Sequence, residues 1–351
     1  MCHSRARAWL GSDGRSVGAI FAGHRIEDDP MPGTFAPTRA LAVAPAFLER
    51  LLWHLRDRGI AVVSLREAMH RLQVPGRHGP FACFTFDDGY ADNCRTALPI
   101  FASFGAPFAV FLTTGFIDGS VIPWWDALES AIGRTERFEF ERAGRRRAWP
   151  TRSVGEKSAA YGAAARWFLA AGPVAREAAL ADLGQRYGYP SGGTMLNWDM
   201  VRAMARTGLV EFGCHTVSHP RLSGLSADAA RNELAASRSA VETAIGRPVD
   251  FLAYPYGDPA SAGPRERALA AAVGFTAAVT TRKNVLSAGG ADDLQDLPRI
   301  PLNGHFQRIE YVDLLLSGAP FTIGAAVRRL AGRRRRSARN VGQRATEGVG
   351  Q

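Results

Sequence analysis

The stretch "FACFTFDDGY", residues 81–90, decides how the rest of the chain is read. Six residues with no charge among them, stopped by Asp-Asp-Gly, describe a short strand buried on both faces, as in a parallel sheet. Working outward, similar runs recur at 17–22 ("VGAIFA"), 60–65 ("IAVVSL"), 107–113 ("PFAVFLT"), 210–213 ("VEFG"), 249–255 ("VDFLAYP"), 275–280 ("FTAAVT") and 299–303 ("RIPLN"). Helical patterns separate them. Residues 44–59 place Phe47, Leu48, Leu51, Leu52 and Leu55 on one face, and further helices are expected at 66–72, before Phe104, and at 198–206, 226–245 and 264–274. Strands alternating with helices imply parallel pairing through right-handed crossovers. Seven or eight such units favour a closed β/α barrel over an open doubly wound sheet. No G-x-G-x-x-G follows the first strand and no P-loop motif occurs, so a dinucleotide or nucleotide-phosphate cradle is excluded.

The rhythm breaks between about 118 and 195, where Ala- and Arg-rich segments ("EKSAAYGAAARWFLAAG", "AREAALADLGQRYG") read as an inserted helical region. The resulting division is an N-terminal extension (1–16), a barrel (17–317) carrying the insertion, and an Arg-rich tail (318–351). Among 351 residues, 46% hydrophobic and 22% charged composition fits a soluble globular chain and excludes a dominantly disordered, collagen-like or coiled-coil one. The net charge of +10 is local. Eight arginines after Phe321 stand against one acid, Glu347, so the tail is read as a solvated, disordered basic end. Four cysteines (Cys2, Cys83, Cys94, Cys214) form no metal-binding or disulfide spacing. With no apolar run of signal-peptide or membrane-span length, the expected location is cytoplasmic.

In β/α barrels chemistry stands just past the C-terminal ends of strands. Those positions hold Asp87-Asp88-Gly89-Tyr90, His215 through His219, Tyr254-Pro255-Tyr256-Gly257 and, after the first strand, His24. Two adjacent ionised carboxylates repel, and a divalent cation removes the conflict by taking one and leaving the other as a base. His215 and His219, four apart, would face one way on a helical turn. With one Asp they make a two-His, one-carboxylate set suited to zinc, with cobalt, nickel or iron as alternatives. Asp-Asp-Gly alone is an ordinary turn and H-x-x-x-H alone an ordinary helix face. Their meeting at the strand ends of one barrel is not.

"TFDDGY" (85–90), "HTVSH" (215–219) and "FLAYPYG" (251–257) resemble, in order and spacing, the polysaccharide deacetylases of carbohydrate esterase family 4, over roughly residues 17–305. The resemblance implies a distorted (β/α)7 barrel and metal-dependent removal of N-acetyl groups from N-acetylglucosamine-type saccharides. It makes Asp87 the general base, Asp88, His215 and His219 the metal ligands, and the backbone N–H of Tyr256 a donor to the developing oxyanion. The chain departs from the family pattern twice. Ala253 stands where an Arg usually orients the catalytic Asp; Arg299 either replaces it from a later strand end or forms a structural ion pair. The usual late Leu-x-His is absent as well. "FAGHRI" resembles poly-β-1,6-N-acetylglucosamine deacetylases in which this histidine comes first, which favours His24 as general acid over His305.

Trp125 (or its neighbour Trp124) is a candidate sugar-stacking platform, set against a plain core role. Asp199 resembles a supporting position but sits in a first helical turn, where acids are favoured anyway. The tail offers peripheral contact with an anionic membrane, and no nucleic-acid partner is expected. Two other readings remain: an amidase acting on a non-sugar C–N bond, and a basic-tail membrane- or nucleic-acid-binding protein with an inactive barrel.

Overall fold

In the computed structural model, the described residues are 16–28, 30–31, 33–74, 78–142, 145–190, 193–287 and 293–324. The first fifteen residues and most of the Arg-rich tail lie outside them; of the tail, 319–324 are helical. In chain order the main elements are β1 (Ser16–Gly23), α1 (Pro45–Asp57), β2 (Ala61–Val62), α2 (Leu65–Gln73), β3 (Phe81–Phe86), α3 (Leu98–Ser103) and β4 (Phe108–Leu112). Then come α4 (Trp124–Gly133), β5 (Arg137–Arg142), β6 (Arg145–Pro150), α5 (Val154–Ala170), α6 (Pro173–Tyr187) and α7 (Trp198–Arg206). The chain continues through β7 (Val210–Cys214), α8 (Ala227–Ile245), β8 (Phe251–Ala253), α9 (Pro264–Val273), β9 (Ala277–Val279), β10 (Leu286–Ser287), β11 (Ile300–Pro301) and α10 (Ile309–Leu316).

One nine-stranded sheet runs β9-β8-β7-β4-β3-β1-β10, with β2 added to β3 and β11 to β1. Every pairing is parallel except β1 with β10. The sheet curls because residues 297–301 touch both of its ends. Leu297 bridges Val279 of β9, while Ile300 and Pro301 pair with Phe21 and Ala22 of β1. This is a distorted β/α barrel, the fold expected from the strand–helix alternation.

The period-2 alternation of strand side chains splits the core in two. Ile20, Phe81, Cys83, Phe111, Phe251, Ala253 and Val279 form one buried cluster inside the curl. Phe21, Phe84, Phe86, Phe108, Val110, Phe212 and Leu252 face outward, where Leu48, Leu51, Phe101, Leu234 and Leu269 of the helices cover them. Stacked and edge-on rings of Phe84, Phe86, Phe101 and Phe108 fill that outer layer, each worth roughly 1.5–3 kcal/mol by burial alone. The same parity carries forward from the strands. Residues 24, 87 and 215 lie in step with the inward-facing positions of β1, β3 and β7, so the chain delivers His24, Asp87 and His215 to one interior.

Two local expectations are corrected. The run at 60–65 is not a full buried strand: only Ala61–Val62 pair, because Ser64 turns to cap α2 by accepting from Glu67 N at 3.1 Å. The inserted region is not purely helical, since β5 and β6 form an antiparallel hairpin. Phe138 and Phe140 point from it into a third cluster with Trp124, Leu128, Ile132, Phe168 and Leu183. No helix among the described residues is long and apolar enough to cross a membrane.

Candidate active site

Asp88, Thr216, His219 and Tyr256 have φ of 72°, 68°, 53° and 64°, and they are the only non-glycine residues with positive φ among those described. Left-handed backbone disfavours residues with a Cβ. Four such residues converging on one point is the mark of a site whose geometry the surrounding structure enforces.

At that point Asp88, His215 and His219, all buried, bring one ligand atom each within 4.8 Å of one another. His215 Nε2 lies 3.6 Å and His219 Nε2 3.5 Å from Asp88 Oδ1. The pairing of the two histidines does not come from a helix, as their spacing suggested. Residues 215–220 form an irregular loop, and the left-handed turns at Thr216 and His219 swing the rings to 4.9 Å between centroids. The loop is pinned on both sides. Thr114 N and Gly115 N donate to the carbonyls of Thr216 and Val217. Glu233 of α8 accepts from Val217 N (2.8 Å), Ser218 N (2.9 Å) and Ser218 Oγ (2.6 Å).

This set fits a cation. His215 Nδ1 lies 2.7 Å from the Ala253 carbonyl; a carbonyl only accepts, so Nδ1 carries the proton and Nε2 presents its lone pair toward Asp88. Asp88 Oδ1 is buried with no hydrogen-bond partner, an arrangement proteins rarely leave uncompensated. Burial, then the charges of Asp87 and Asp126, push the Asp88 carboxyl well above its usual range, and a cation held with the two imidazoles would keep it ionised. Burial lowers both His215 and His219, so neither is poised to hold a proton in place of a metal.

Asp87, 3% exposed, is held by Arg299. Nη1 and Nη2 fork its two oxygens at 2.7 Å each, while Nη1 also donates to Thr85 Oγ1 and Nε to the Thr280 carbonyl. Burial would raise the Asp87 carboxyl, but the charge and hydrogen bonds of Arg299 outweigh it and hold the group well below the usual carboxylate range. Four of the five N–H groups of Arg299 are spent on protein, so it orients Asp87 and does not reach outward. Its guanidinium enters from the 297–301 segment, while the Ala253 position presents only its carbonyl to His215.

His24 stands within electrostatic reach of Asp87, Arg299 and His215. Burial lowers it to about 4, partly offset by Asp87. His305 is exposed on the 303–308 loop. The backbone N–H of Tyr256 makes no hydrogen bond within the described residues, whereas its carbonyl takes Thr281 Oγ1 at 2.7 Å. The Tyr256 ring stands edge-on to His219 with centroids 5.0 Å apart.

Trp125 reaches the centre but is not an open platform. It is 8% exposed, stands edge-on to His219 at 5.2 Å, and spends Nε1 on Tyr90 Oη at 2.7 Å. It walls the histidine and has no free face for a sugar ring. Asp199 lies away from the site, exposed and paired with Arg202.

Sequence reasoning placed Tyr90 at the strand end without a role and missed Asn93, Asp126 and Glu233. Asn93 Nδ2 donates to the His24 carbonyl at 2.9 Å. Asp126, raised to about 7 by burial, has a buried Oδ2 without a partner. Only Tyr90 and Asn93 carried a signal, being polar residues just past the Asp-Asp-Gly turn. The other two are close in space and distant in sequence.

Residues 151–278 match the family model described as polysaccharide deacetylase, a span that contains both site histidines and Tyr256. No curated protein sequence matches the chain. Among solved structures, IcaB from Ammonifex degensii superposes with a TM-score of 0.55 at 17% identity, covering 86% of this chain and 97% of that one. The Streptococcus pyogenes deacetylase PplD, in complex with acetate, gives 0.53 at 17%, covering 82% and 92%. A polysaccharide deacetylase from Bacillus cereus gives 0.55 at 15%, covering 86% and 70%. At such identities these likenesses establish the shared β/α barrel, and the polysaccharide deacetylase family model is matched over residues 151–278 of the chain.

Proposed function

We propose that this protein is a metal-dependent N-deacetylase acting on N-acetylglucosamine-containing poly- or oligosaccharides. The observation that carries the proposal is the buried, unsatisfied Asp88 Oδ1 facing the Nε2 atoms of two histidines beside an ionised, arginine-clamped Asp87. Asp88, His215 and His219 would hold the cation, zinc first among candidates. When bound, a divalent cation supplies Lewis acidity, lowering the pKa of an adjacent water and polarising the acetamide carbonyl. Asp87, kept ionised by Arg299, accepts the proton of the attacking water. The Tyr256 N–H donates to the oxygen on which charge develops. His24, neutral at rest, takes up the proton that Asp87 removed from the water and passes it to the departing nitrogen, which leaves acetate and a free amine.

The division into extension, barrel with insertion, and basic tail is part of the same reading. The enzyme is assigned to the cytoplasm, and the solvated basic tail offers peripheral contact with an anionic membrane face, at about 1 kcal/mol for each arginine near such a surface. The test is acetate release from β-1,4- and β-1,6-linked N-acetylglucosamine oligomers with added zinc or cobalt. Release that is lost on chelation and in His215→Ala supports the reading. A metal-loaded protein that releases no acetate from either series removes the saccharide assignment.

A further inference from the structure

Three arginines stand near the aromatic wall of the centre, and two are neutralised. Arg25 pairs with Glu27 at 2.9 Å and Asp92 at 3.5 Å, and Arg221, stacked on the Tyr256 ring, pairs with Asp258 at 3.2 Å. The third, Arg176, comes from α6 of the inserted region and meets no acid among the described residues. Its contacts are long for a guanidinium: Nη1 lies 3.5 Å from Tyr256 Oη and Nη2 3.3 Å from the Ala171 carbonyl. Charge-assisted bonds run nearer 2.7–2.9 Å. Arg176 Nε is buried with no partner at all.

Local physics does not explain the placement. Arg176 is the fourth residue of α6, one turn from a helix N-terminus where cations are disfavoured, and no acid occupies that first turn. A cation kept against the helix dipole, incompletely bonded, at the hydroxyl end of a tyrosine whose ring touches His219, breaks local rules in the manner expected of a functional group. Its charge is felt at His219 itself.

We propose that Arg176 is an anion subsite, receiving a phosphate or carboxylate carried by the saccharide next to the N-acetyl group to be removed. The planar guanidinium suits either oxyanion, which it can meet with paired N–H donors. The inserted region thereby selects acidic or phosphate-linked saccharides over neutral oligomers. This deepens the deacetylase reading and rests on it.

The experiment compares acetate release from neutral chitotetraose, from N-acetylglucosamine 1-phosphate and from a hyaluronan tetrasaccharide, in wild type, Arg176→Gln and Arg176→Lys. The expected result is a kcat/KM loss of about 10-fold or more in Arg176→Gln on one or both anionic substrates, with chitotetraose losing several-fold less and Arg176→Lys recovering part. Whichever anion responds identifies phosphate or carboxylate. An equal loss on all three substrates makes Arg176 a mere latch between α6 and Tyr256, and overturns the proposal. Calorimetric binding of N-acetylglucosamine 1-phosphate to metal-stripped protein separates the two readings. If no substrate is turned over, binding that weakens about 10-fold in Arg176→Gln still supports the subsite, and unchanged binding sinks it.

Discussion

Arg299 grips both carboxylate oxygens of Asp87 at 2.7 Å across a sequence separation of 212 residues. The pair is fully buried and sets the protonation of the group proposed as the base. Because the Asp87 pKa is depressed in the folded state, its contribution to stability is present above the unfolded carboxylate value of about 4. That contribution is lost as pH falls from there through the lower folded value.

Arg299→Ala removes one partner of this pair and leaves a buried, uncompensated carboxylate, at a cost of about 3–5 kcal/mol of stability. Asp87 then titrates at higher pH, so the acidic limb of the kcat/KM profile moves upward. Chemical denaturation and a pH–rate profile check both effects. Ala253→Arg placed in the Arg299→Ala background should restore part of the activity, since it puts a guanidinium at the strand end next to His215, whose ring already meets the Ala253 carbonyl. An acidic limb that does not move in Arg299→Ala would show that Asp87 is not the titrating base.

Loading with zinc should raise the melting temperature of the wild-type protein, because binding to the folded state alone stabilises it by mass action. The rise should vanish in Asp88→Ala and His219→Ala. Thermal unfolding with and without chelator, beside metal content per chain, measures it. A full stoichiometry of tightly held zinc in Asp88→Ala contradicts the ligand set.

Glu233 holds the loop between the two histidines through three hydrogen bonds and touches neither ring. Glu233→Ala should weaken metal affinity by about 10–100-fold, the range for residues that orient ligands, with less effect on kcat at saturating metal. Competition with a zinc-binding dye reads this directly. An unaltered affinity would mean that the backbone bonds from Thr114 and Gly115 suffice.

His24→Ala should lower kcat by roughly 10²–10⁴-fold, the usual weight of a general acid, while the exposed His305→Ala leaves it near wild type. Asn93→Ala, which frees the His24 carbonyl, should fall between them. Steady-state kinetics on the three variants suffices, and equal activity of His24→Ala and wild type excludes the assignment.

Much of this was legible in one dimension. The strand at 81–86 matches the expectation residue for residue, as does the helix at 198–206, because apolar runs and caps act over a few residues. Their positions just past strand ends already brought His24, Asp87 and His215 to one rim of the barrel, while the parity that aims all three inward came from the two faces of the folded sheet. The β5–β6 hairpin was missed although Arg-Phe-Glu-Phe-Glu alternates strictly; the surrounding Ala-rich helices masked a five-residue signal.

The sequence determined which chemical groups stand at the strand ends, since those positions follow from local patterns of burial and turn residues. Tertiary structure alone decided how they are used. Arg299 finds Asp87 only when the 297–301 segment closes against β1 and β9. The histidines meet through left-handed turns that their spacing does not imply, and Trp125, open to either a stacking or a core reading, becomes a buried wall. Each of these depends on contacts between residues far apart in the chain, whose geometry comes from packing and backbone closure and is not encoded in any short window of residues.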